Sequence, residues 1–143
     1  MNTQLRVFKW LVWFGILVNA AFWVPAWFAP PAFVKLLGID PNFHTIWLRN
    51  VGMLLLLVAI FNWAGTRHPR EFPLYSWLVV LARIIAGLFF LEVWLFNSFS
   101  SSDRPELFLW FFLVDTTFGV TKGVFLYLGL RNPPSATSFL AHA

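Results

Sequence analysis

Apolar residues fall into four long runs, separated by short clusters of proline, glycine and charge. The runs extend from Val7 to Phe28, Thr45 to Ala64, Leu74 to Phe96 and Leu107 to Leu130. About twenty apolar residues suffice for a helix to cross the hydrocarbon core of a bilayer. Each run meets that length, and the pattern predicts four membrane-spanning helices. The breaks are Ala29-Pro30-Pro31 with Asp40-Pro41, then Gly65 through Pro73, then Asn97 through Pro105. The first run is too long and too rich in tryptophan for a signal peptide. Between the first two runs, Pro30 through Ile39 is too short to span. Its leading prolines and Gly38 are helix start and stop signals, predicting a short helix lying at the membrane surface. The expected fold is therefore all-α, an integral membrane four-helix bundle with an interfacial helix between spans one and two. Residues 1–131 form the four-span domain, and residues 132–143 a flexible C-terminal tail.

Composition supports a bilayer as the solvent. Of 143 residues, 59% are hydrophobic and 11% charged, against about 25% charged in a soluble domain. The net charge of +4 is unevenly placed. Arg6, Lys9, Arg67, Arg70 and Arg131 fall on one predicted side, Lys35 and Arg104 on the other. Basic residues mark the cytoplasmic face, so both termini are expected in the cytoplasm, in a bacterial inner membrane. The charge is a topology signal, and no nucleic-acid partner is expected. Tryptophans fall near both ends of the spans, as interfacial belts do. The chain has no cysteine, which excludes disulfides, thiolate metal sites and thiol catalysis.

Candidate chemistry lies in five charged residues inside the apolar runs: Arg49, Arg83, Glu92, Asp115 and Lys122. A lone charge at a helix centre costs roughly 2.5 to 3.5 kcal/mol on insertion scales, so such residues are usually paired. At about 1.5 Å rise per residue, Arg49 and Glu92 both lie roughly 6 Å below the outer ends of their spans, and are read as a structural ion pair. Asp115 lies roughly 12 Å down, level with Asn19, while Arg83 and Lys122 lie roughly 20 to 23 Å down. Asp115, Gly119, Lys122 and Gly123 share a helix face, with Gly119 and Gly123 permitting close helix approach. A long guanidinium stem can climb a turn, making Asp115 the natural acid for Arg83. One cation is left over. Lys122 either snorkels to the cytoplasmic interface or helps hold an acceptor such as a lipid phosphate, a carboxylate or a quinone oxygen. Arg83, Asp115 and Lys122 are the candidate ligand-binding residues. The hydroxyls of Thr116 and Thr117 are expected to bond to their own helix backbone. His44, His68 and His142 all avoid the membrane centre, so no b-type haem is expected, and neither a metal box nor a catalytic motif is present.

Phe28-Ala29-Pro30, Leu37-Gly38 and Trp47-Leu48-Arg49-Asn50-Val51-Gly52 together resemble the DoxX-like family of small four-helix membrane proteins. The resemblance covers about 120 residues in span order. It implies a four-helix bundle found beside redox or quinone-linked enzymes. Arg83 and Lys122 have no counterpart in that pattern. Two functions compete. The first is a non-catalytic subunit of a larger redox or electron-transfer complex, packed against lipid, pigment, other subunits or a second copy of itself. The second is a quinone- or lipid-binding enzyme with an intramembrane site at Arg83, Asp115 and Lys122. A channel is disfavoured, since four unbroken spans without a polar stripe make a poor pore.

Overall fold

The computed structural model describes residues 2–38, 45–96 and 106–132. Five helices follow one another: α1 (Thr3–Phe28), α2 (Pro30–Leu37), α3 (Thr45–Gly65), α4 (Pro73–Phe96) and α5 (Glu106–Arg131). No strand occurs among the described residues. Four of the helices are long and apolar enough to cross a membrane, and their bounds match the predicted spans to within a few residues. The predicted tail beyond Asn132 and the connection holding Arg104 lie outside the described residues.

Local chemistry fixes the ends. Asn2 caps α1 by accepting from the Leu5 N–H at 3.1 Å, satisfying one of the first orphan donors. The Asn2 side-chain amide also donates to the Gly129 carbonyl at 2.9 Å, and the Arg70 guanidinium donates to the same carbonyl at 3.1 Å. Lys9 Nζ donates to the Arg67 carbonyl at 2.9 Å. The start of α1, the α3–α4 turn and the end of α5 are thus tied at one end of the bundle. At the other end, α2 opens on Pro30 and Pro31 and stops at Gly38, whose φ of 64° is left-handed. It lays Phe33 and Val34 against Ala26 and Leu48, so the interfacial helix packs onto the ends of α1 and α3.

The spans form a ring. α4 and α5 share the most extensive contact, followed by α1 with α3 and α1 with α5, while α3 and α4 touch only lightly. Small residues explain the tight seams. A Cβ on Gly87 of α4 would run into the Thr116 hydroxyl and the α5 backbone, and one on Gly119 would meet Ile84. On the other side, Gly52 lets α3 approach the Trp23 carbonyl and the Ala26 methyl of α1. The bundle core of Leu5, Phe8, Val12, Val79, Val80 and Leu126 lies between α1, α4 and α5. Large apolar side chains, among them Trp10, Phe14, Phe61, Leu88, Trp110 and Val120, face outward on every span. Water would make that surface unfavourable, and lipid tolerates it.

Candidate functional site

Three of the five intramembrane charges converge where α1, α4 and α5 meet. Arg83 Nη1 donates to Asp115 Oδ1 at 2.5 Å. Its Nη2 donates to the Gly15 carbonyl at 2.9 Å and to Asn19 Oδ1 at 2.5 Å. The guanidinium therefore bridges three helices, and the expected Arg83–Asp115 pairing is present. Asn19, anticipated only as a residue of matching depth, is a direct ligand of Arg83.

Lys122 corrects one expectation. It does not snorkel to the interface. It is 0% exposed, its Nζ lies 5.2 Å over the Phe118 ring, and it has no hydrogen-bond partner. A Cβ built on Gly15 would come within 2.8 Å of Lys122 Nζ and 3.3 Å of Arg83 Nη2. Both cations thus lie over the same glycine. The reason is geometric. Helical side chains lean toward the helix N-terminus, and in α5 that direction leads from Lys122 toward the bundle centre. Gly15, lacking a side chain, leaves the room. Thr116 supplies a second correction, since its buried hydroxyl finds no partner instead of bonding to its own backbone.

Arg49 and Glu92 occupy exposed positions, near the start of α3 and the end of α4. Neither lines the central site. His44 lies outside the described residues. Of the tryptophans, Trp10, Trp13, Trp27, Trp63, Trp94 and Trp110 are exposed.

Beside the cluster lies a cavity of about 220 Å³, lined by all four spans. Asn19, Asn62, Arg83 and Asp115 supply its polar wall. The rest is apolar, including Phe22, Leu55, Val58, Ala82, Phe90 and Phe111. Asn62 of α3 is only 2% exposed, and sequence reasoning missed it. A lone amide in the apolar stretch from Val51 to Ala64 was the available signal. The side-chain nitrogens of Asn19 and Asn62 and the Nε of Arg83 are all buried without a hydrogen-bond partner. Leaving such a donor unmet costs about 1–3 kcal/mol. Three unmet donors on residues lining one cavity mark a place where an acceptor within reach would be stabilised. No cluster of three or more metal-ligating acids, histidines or cysteines occurs among the described residues.

No family model, curated protein or solved structure matches the chain.

Proposed function

We propose that the protein is a small integral membrane subunit whose bundle centre holds a membrane-soluble ligand of the quinone or lipid class. The observation that carries this reading is the cavity itself, with apolar walls from four helices and unmet N–H donors from Asn19, Asn62 and Arg83. Pockets that take small ligands combine mostly apolar lining with a few placed polar groups. Binding is favoured over catalysis because the single carboxylate in the cavity wall, Asp115, is already held by Arg83. The aromatic and aliphatic outer surface supports contacts with lipid or with other subunits. The DoxX-like resemblance of the segments around Pro30 and Arg49 favours a redox or electron-transfer complex as the setting. The basic residues Arg6, Lys9, Arg67, Arg70 and Arg131 support a bacterial inner-membrane orientation with both termini in the cytoplasm.

The test is extraction of the protein purified in mild detergent, followed by mass analysis of what it carries. One amphiphile should be recovered from the native chain. Asn62→Leu, which removes a donor while keeping similar bulk, should lower its recovery several-fold. A native chain that carries nothing, or recovery unchanged in Asn62→Leu, would contradict the reading.

A further inference from the structure

The proposed cavity sits in an unbalanced electrostatic field. Arg83 and Lys122 bring two basic groups and Asp115 a single acid, all within the contact network around Gly15. Of the three, Arg83 and Asp115 line the cavity, and Lys122 stands behind them, beside Arg83 over Gly15. A buried charge without a counter-ion is costly in a low-dielectric interior. Resting on the reading that the cavity binds a ligand, we infer that the ligand is a single-chain amphiphile with a carboxylate head, a fatty acid anion, which reaches the site from the bilayer between α3 and α4.

Four features point that way. First, the unmet groups on the residues that line the cavity are all donors, from Asn19, Asn62 and Arg83. An ionised carboxylate is acceptor-only and has about four lone-pair sites to offer them. Second, an anion supplies the counter-charge that the second basic group, Lys122, lacks beside the Arg83–Asp115 pair, which a neutral quinone, ester or alcohol does not. Third, size excludes a phospholipid head with two chains. The cavity's 220 Å³ is not far above the roughly 150 Å³ that accommodates one benzene ring. Fourth, the route is apolar. Toward the outer face, Phe111 packs against Phe90 and Phe22, with ring centroids 5.2 Å and 5.5 Å apart. These rings roof the site on that side. The seam between α3 and α4 is the lightest contact of the ring, and Ala82, exposed on α4, lines the cavity there. A hydrocarbon tail can leave through that seam into lipid while the head stays among the amides.

The experiment measures binding of radiolabelled hexadecanoate to the purified full chain in detergent, competed with methyl hexadecanoate, hexadecanol and a short-tailed benzoquinone. The carboxylate should outcompete the neutral ligands by about tenfold or more, equivalent to about 1.4 kcal/mol. Lys122→Met should erase that preference while methyl hexadecanoate still binds. Lys122→Gln, which keeps a polar terminus, serves the same purpose should the methionine variant not fold. Equal binding of acid and neutral ligands by the native chain would overturn the carboxylate assignment and leave the ligand cavity standing. A preference that survives both substitutions would overturn the role of the spare cation. If none of these ligands binds, the inference and the cavity reading fall together.

Discussion

Arg83 is the residue on which the bundle's interior turns. Its guanidinium joins α4 to Asp115 of α5 and to Asn19 and Gly15 of α1, through the fixed donor fork that only arginine provides. Removing one partner of such a pair strands the other. Asp115→Asn keeps the shape but removes the anion, leaving Arg83 and Lys122 side by side in a low dielectric. It should destabilise the protein by about 3 to 5 kcal/mol, read from unfolding in detergent. The double substitution Arg83→Met with Asp115→Leu should cost less than the two single changes added together. Strict additivity would show that the pair does not couple. The Arg83–Asp115 contact was legible in the sequence because helix face follows from residue spacing and a long guanidinium stem spans the difference in depth. For Lys122 the sequence left two alternatives, and the snorkelling one fails because depth alone ignores the direction in which a helical side chain leans. Gly15 was silent, since an absent side chain becomes informative only when its neighbours are in place. For Arg49 and Glu92, shared depth is the sole ground for pairing, and it says nothing about how two lightly touching helices are rotated.

Elements were legible to within a few residues, because run length and proline–glycine punctuation act locally. The α2 helix is an example. Pro30 and Pro31 set its start, and Gly38 ends it in a conformation that side-chain-bearing residues resist. What spacing could not give was the order of the spans around the ring, and hence the light seam between α3 and α4. That seam depends on where Gly52, Gly87 and Gly119 allow backbones to close, which is a property of pairs of helices. Orientation in the membrane belongs to this scale too, since α2 carries Lys35 and the α3–α4 turn carries Arg67 and Arg70. Lys35 and Glu71 are both exposed, and the cysteine-free background makes labelling clean. In intact cells an impermeant thiol reagent should label Lys35→Cys and spare Glu71→Cys. The opposite pattern would invert the topology.

For the molecule as a whole, four helices tied at one end by Asn2 and Arg70, with α2 packed over α1 and α3 at the other, surround a cavity whose lining residues carry donors without acceptors. Occupation of that cavity is the central claim. Ala86 of α4 lines it, and Ala86→Phe should fill it without disturbing the Arg83–Asp115 contact. A ligand that binds only the folded state stabilises it by about 2.7 kcal/mol at about a hundred times its Kd. The decisive measurement is thermal unfolding in detergent with and without added hexadecanoate, and separately with a short-tailed benzoquinone. The Tm of the native chain should rise by several degrees with at least one of the two, while Ala86→Phe, folded to the same helicity, shows no shift with either. No shift in the native chain, or an equal shift in both proteins, would contradict a ligand site at the centre of the bundle.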